Sequence, residues 1–171
     1  MIRKPLLSND TRSAIVTCRQ FGAKIEQDKD GNYIVDGFAG KPSIPDDVVN
    51  VGNSGTTLRI ALSTAALLDG SAVFTGDEQI RNRPVAPVVD ALNNLGAKAF
   101  TTKNNGKAPA VVTGSAKGGF TELDGLSSQF LSSILINAPM FPEDTEIQMT
   151  RLNELPYVDI TTWWLDKLGI E

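Results

Sequence analysis

Gly52-Asn53-Ser54-Gly55-Thr56-Thr57-Leu58-Arg59 stands between a short apolar run, Val48 to Val51, and a longer one, Ile60 to Leu68. The first run predicts a strand and the second a buried helix, so the segment between them is a strand-to-helix turn rich in glycine and hydroxyls. Glycine lets backbone come close to a ligand, and the N–H groups of a helix's first turn have no partner within the helix. The same end carries the helix's positive pole, which makes an anion the natural guest. Taken alone, the segment is equally an ordinary helix start with Ser54 as its cap.

The arrangement occurs twice. Asp124-Gly125-Leu126-Ser127-Ser128-Gln129-Phe130 again joins a strand-like run, Phe120 to Leu123, to a buried helix, and Gly125 follows Gly52 by 73 residues. Phe21-Gly22-Ala23-Lys24, Leu95-Gly96-Ala97-Lys98 and Leu168-Gly169-Ile170-Glu171 each close an amphipathic segment, with their glycines 74 and 73 residues apart. A fixed period of this size marks a repeated supersecondary unit.

The elements between these landmarks define the unit. Ser8-Asn9-Asp10 predicts the start of a helix through Phe21, with Ile15, Cys18 and Phe21 on one side. Lys24 to Gln27 and Tyr33 to Val35 flank Asp30-Gly31-Asn32, a hairpin signal. Ala72 to Phe74 is a short strand, and Pro84 is placed to open a helix carrying Val85, Val88, Val89, Leu92 and Leu95 as one stripe. Lys98 to Thr102 and Ala110 to Thr113 form a second hairpin. Glu146 to Met149 is a strand, and Pro156 opens a helix with Tyr157, Ile160, Trp164 and Leu168 on one face. Both tryptophans are expected in the core. The repeat is therefore βαβαββ: an α/β chain with a partial first unit (1–45), a second unit (46–118) and a partial third (119–171) in a single domain. The first unit lacks its opening strand and helix and the third stops before its hairpin. The chain thus reads as incomplete at both ends, a piece of a longer protein.

Composition narrows the functions. At 41% hydrophobic and 21% charged, the 171 residues suit one globular domain with a proper core. The net charge of −4 comes without basic runs, which argues against a nucleic-acid partner and leaves any anion to local groups. There is no histidine, which excludes histidine triads and histidine metal sites. The single cysteine, Cys18, is expected as core filler, and one cysteine suits a reducing, cytoplasmic setting. Neither a signal peptide nor an apolar run of about 18 residues is present, so no membrane partner is expected.

Arg83, in Ile80-Arg81-Asn82-Arg83-Pro84, suits bidentate recognition of carboxylate or phosphate. From the residues alone, solvated loop charges are the plainer reading of Arg81 and Arg83. Ser127, Ser128 and Gln129 form a second anion cup or a second simple cap. Glu154 and Tyr157 flank Pro156, where the tyrosine hydroxyl can meet a polar ligand. No paired carboxylates, GxxxxGK[ST], GxGxxG or CxxC pattern is present.

The Gly52–Arg59 segment, Thr75-Gly76-Asp77 followed by Arg83-Pro84, and Ser127-Ser128-Gln129 stand in an order and spacing that resemble the enolpyruvyl transferases, on the branch that accepts shikimate-3-phosphate. The similarity runs from about Leu6 to the end. It implies most of an N-terminal-half domain of the inside-out kind, with helices inside and sheets outside. It further implies transfer of the enolpyruvyl group of phosphoenolpyruvate to the 5-hydroxyl of shikimate-3-phosphate by addition and elimination, with no metal and no organic cofactor. Asn53, Gly55 and Thr56 would lie at the phosphoenolpyruvate (and glyphosate) pocket, with Arg83 and Gln129 gripping phosphoenolpyruvate. Ser127 and Ser128 would hold shikimate-3-phosphate, with Tyr157 nearby.

The family's Ser-Lys-Ser segment, its acid/base groups and the arginines of its second domain are missing from this sequence, so no catalytic residue is assigned and the chain alone is expected to be inactive. Where the family places a phosphate-binding serine three residues before the tyrosine, this chain has Glu154, whose charge would repel a phosphate. The alternatives are UDP-N-acetylglucosamine enolpyruvyl transferase, whose reactive cysteine sits in a mobile loop, and a non-catalytic anion-binding or interaction domain on the same scaffold.

Overall fold

The computed structural model describes residues 1–170; Glu171, the end of the third glycine landmark, lies outside the described residues. The elements run α1 (Asn9–Gln20), β1 (Lys24–Gln27), β2 (Tyr33–Asp36), β3 (Val49–Asn50), α2 (Gly55–Ala65), β4 (Ser71–Thr75), α3 (Ala86–Asn94), β5 (Lys98–Thr101), β6 (Ala110–Thr113), β7 (Gly119–Gly125), α4 (Ser128–Asn137), β8 (Thr145–Leu152) and α5 (Leu155–Lys167). β3-α2-β4-α3-β5-β6 is the expected βαβαββ order. β7-α4-β8-α5 repeats its first four elements, and α1-β1-β2 its last three.

Each short strand–helix–strand step returns the chain parallel to itself. β3 pairs parallel with β4, and β7 pairs parallel with β8. The second unit closes its sheet in the order β3-β4-β6-β5, with β6 antiparallel to both neighbours. β1 and β2 make a separate antiparallel hairpin.

The helices between the strands are the interior. Nine residues of α2, among them Leu58, Ala61, Leu62 and Ala65, are buried, as are seven of α4. A helix apolar nearly all round must lie inside a fold. Ser63 and Ser133 let α2 and α4 approach closely and hydrogen-bond to each other at 3.0 Å in the buried interface. The sheets lie outside, and β4 and β5 alternate exposed and buried positions. Leu62 is fully buried, so Leu62→Ala costs about 2–5 kcal/mol.

The three glycine landmarks have one physical cause. Gly22, Gly96 and Gly169 take φ of +98°, +98° and +72°, the left-handed region that other residues enter at a cost. In each case the next residue's N–H reaches back five residues to a helix carbonyl: Ala23 to Cys18, Ala97 to Leu92 and Ile170 to Leu165, all at 3.0 Å. This is the glycine-based helix stop that ends α1, α3 and α5.

Several expectations are corrected. α2 begins at Gly55 instead of Ile60, so the turn's second glycine belongs to the helix. Pro84 does not open α3; it forms a bridge with Lys107, and Pro87 takes the early-helix position after a short 3-10 turn at Ile80–Asn82. Trp163 and Trp164 are not core residues. Each is half exposed, and their rings meet edge-on at 5.0 Å with Lys167 over Trp163. Cys18 is exposed, although desolvation by its neighbours still raises its pKa, so the thiol is neither core filler nor activated. Among the described residues no helix is long and apolar enough to cross a membrane.

Candidate functional site

The two glycine turns deliver the N-termini of α2 and α4 side by side, because their helices are packed together in the interior. Ser54 caps α2: fully buried, its Oγ accepts from the Thr57 N–H at 3.3 Å and donates to Asp10 Oδ1 at 2.6 Å. The capping reading of Ser54 is therefore correct, and it leaves the exposed Thr56 free to face outward while Gly55 is buried.

Gln129 joins the two helix starts. Its Nε2 donates to Thr56 Oγ1 at 2.9 Å, and its Oε1 accepts from Arg59 Nη1 at 2.5 Å. Arg59 is buried, with its guanidinium 4.7 Å from the Phe130 ring centroid. Desolvation is the main cause that lowers its pKa; the like charge of Arg83 adds to this and Glu154 opposes it. A buried cation held by a neutral amide and an aromatic face keeps attraction for a ligand anion.

Arg83 comes to the same place. A Cβ built on Gly55 would sit 3.2 Å from Arg83 Nη1, so glycine there lets the guanidinium lie against the first turn of α2. Asn53 turns elsewhere. Its Nδ2 donates to Asp77 Oδ2 at 2.5 Å and to Gln79 Oε1 at 3.1 Å. Asp77 in turn accepts from the Ile80 N–H, and these contacts, the backbone one first, lower its pKa. Asn53 is thus a brace of the Thr75–Arg83 loop.

The third wall is the start of α5. A cleft of about 410 Å³ is lined by Thr56, Ile60, Ser128, Gln129, Ser132, Ile136, Glu154, Tyr157 and Thr161. Thr56, Ser128, Gln129 and Tyr157 therefore share one cavity, with Gly55 and Arg83 beside it. Ser127 is the N-cap of α4, yet its side chain makes no capping bond. That bond is supplied by Glu154: Oε2 accepts from the Ser128 N–H at 3.2 Å and from Ser128 Oγ at 3.0 Å. The carboxylate read as incompatible with this cup occupies it.

Two residues carry more than the sequence suggested. Arg59 is a lone charge at the head of an apolar, buried helix, and that pattern is its signal in the sequence. Glu154 was visible only as a departure from the family pattern. Its contact requires the parallel pairing of β7 with β8, which sets Gly125 opposite Leu152.

The family model described as EPSP synthase (3-phosphoshikimate 1-carboxyvinyltransferase) matches residues 1–171. The 3-phosphoshikimate 1-carboxyvinyltransferase of Acetivibrio thermocellus is 62% identical over 170 residues, 99% of this chain and 40% of that protein. The protein of the same name from Ruminiclostridium cellulolyticum is 55% identical over 171 residues, again 40% of its length. The solved EPSP synthase of Acinetobacter baumannii superposes with a TM-score of 0.79 at 26% identity, covering 90% of this chain and 35% of that one. The chain thus spans about 40% of the length of the curated relatives it matches. Sequence and fold agree over the same residues: the chain belongs to the EPSP synthase family.

Proposed function

We propose that this chain supplies one wall of the substrate site of a 3-phosphoshikimate 1-carboxyvinyltransferase, within an N-terminal-half domain whose repeats divide at 1–45, 46–118 and 119–171. The reaction adds the 5-hydroxyl of shikimate-3-phosphate to C2 of phosphoenolpyruvate while C3 takes a proton. Elimination of phosphate with loss of a C3 proton then leaves the enolpyruvyl ether. Arg83 and Arg59 neutralise phosphoenolpyruvate at the start of α2, next to the Gly55 and Thr56 backbone, with Gln129 as the bridge to the acceptor. Ser127 and Ser128 hold the acceptor's phosphate, Tyr157 closes the cleft, and Asn53 holds the loop that presents Arg83. These residues bind and orient, which converts a two-substrate reaction into one with its partners already aligned. The proton transfers belong to groups of the second domain, the chain's expected partner.

The observation that carries this reading is Gln129, which from the start of α4 hydrogen-bonds Thr56 and Arg59 of α2 and so links the two helix starts that border one cleft. Calorimetric titration tests it. Shikimate-3-phosphate is expected to bind the chain saturably and UDP-N-acetylglucosamine not at all, with Ser128→Ala weakening the former at least tenfold. Binding of the nucleotide sugar in its place would assign the cleft to the other enolpyruvyl transferase branch. Failure of both to bind a folded chain would favour a non-catalytic domain.

A further inference from the structure

The Ser128 cup is already filled, and by the chain itself. One oxygen of Glu154 takes both donors Ser128 has, its N–H at 3.2 Å and its hydroxyl at 3.0 Å. Ser128 is only 3% exposed, so nothing else can reach those donors while the carboxylate is there. The cup opens α4, a helix of ten residues whose own N-cap side chain makes no capping bond. Glu154 meanwhile sits at φ +57° and ψ +38°, a left-handed conformation that costs a residue with a full side chain free energy. It is also the N-cap of α5, two turns of chemistry in one residue: its carbonyl accepts from the Tyr157 N–H at 3.0 Å while its carboxylate caps the other helix.

We propose that Glu154 is a displaceable internal anion that sets the specificity of this cup. It rests on the reading of the cleft given above. In the unliganded chain the carboxylate satisfies Ser128; a ligand phosphate binds only by ejecting it, because the donors cannot serve two anions and the two anions repel each other. The competition is unequal by ligand class. A ligand carboxylate offers the cup nothing that Glu154 does not already provide intramolecularly, at a high effective concentration. A phosphate dianion brings more charge and three acceptor oxygens, so it alone displaces Glu154. Ejection moves the start of α5, which carries Tyr157, so filling of the cup is transmitted to the third wall of the cleft.

The test is amide NMR on the chain, wild type against Glu154→Gln and Glu154→Asn, titrated with inorganic phosphate. Glu154→Gln keeps side-chain length and removes the charge. Glu154→Asn removes the reach as well and suits a left-handed backbone. Expected are at least tenfold tighter phosphate binding at the Ser128 amide in both variants, acetate binding at that amide in the variants but not in the wild type, and a Tyr157 shift that tracks Ser128 in the wild type. Where Glu154→Asn loses its α5 resonances, Glu154→Gln decides. Equal affinities within twofold, weaker binding in the variants, or no response of Ser128 to phosphate overturns the proposal. Shikimate-3-phosphate, titrated into the same proteins, separates the two readings. If inorganic phosphate behaves as expected and shikimate-3-phosphate leaves Ser128 unmoved, Glu154 remains the internal anion and the acceptor assignment falls.

Discussion

Arg59 and the two turn glycines show how single residues carry the site. Arg59 is a buried cation whose partners are an amide oxygen and an aromatic face, so its desolvation is not repaid by a carboxylate. Arg59→Met, close in volume, is expected to change unfolding free energy by no more than about 1 kcal/mol, whereas Arg59→Ala costs about 2–4 kcal/mol because it also opens a cavity. Urea denaturation of the two variants checks this, and equal losses would contradict it. Gly52 and Gly125 are equivalent in sequence but not in cause. Gly52 has φ +56° and open space around its missing Cβ, while a Cβ on Gly125 would lie 2.4 Å from the Arg151 carbonyl oxygen. Gly52→Asn is therefore expected to be tolerated within about 1 kcal/mol, and Gly125→Ala to cost about 1–3 kcal/mol through overpacking against backbone. The 73-residue period revealed that both glycines matter; only the pairing of β7 with β8 reveals why they differ.

At the scale of elements, the amphipathic and buried segments were legible because their periodicity is local. The Val85 to Leu95 stripe gave α3, and the glycine stops gave three helix ends. What was not legible depended on partners distant in sequence. β8 runs on to Leu152 because β7 pairs with it through a bulge at Leu123/Asp124, and that extension places Glu154 at Ser128. α5 misled for the same reason. Its apolar residues at Ile160, Trp163, Trp164 and Leu168 predict burial, yet in this chain each is more than half exposed and only Val158 of the helix is buried. Iodide is accordingly expected to quench the tryptophan fluorescence of the native chain nearly as well as that of the chain in urea; strong protection would contradict the placement of α5. The Asp124–Arg151 pair that ties β7 to β8 is exposed on both sides, so Arg151→Ala is expected to cost less than about 1 kcal/mol.

For the whole molecule, acid provides a global check on the electrostatics. Asp28, held chiefly by the Asn32 side chain, Asp77, held chiefly by the Ile80 N–H, and Asp124, held chiefly by Arg151, all have pKa values lowered from the ordinary 3.8. A carboxylate with a depressed folded pKa contributes stability that is complete above its unfolded pKa and is lost as pH falls through the folded one. Stability is therefore expected to decline as pH drops below about 4, and the triple change to Asn at these positions should flatten that decline in acid titrations followed by circular dichroism. At this scale two glycine turns, one repeat apart, bring Thr56, Ser128 and Gln129 to a single cleft with Arg83 beside it, and we propose that this cleft takes two anionic substrates. Its most direct test is a backbone amide NMR titration of the chain with shikimate-3-phosphate. The account predicts saturable shifts at Ser127, Ser128, Gln129 and Tyr157, spreading through Gln129 to Thr56. A folded chain whose shifts lie elsewhere, or that shows none at all, would contradict it.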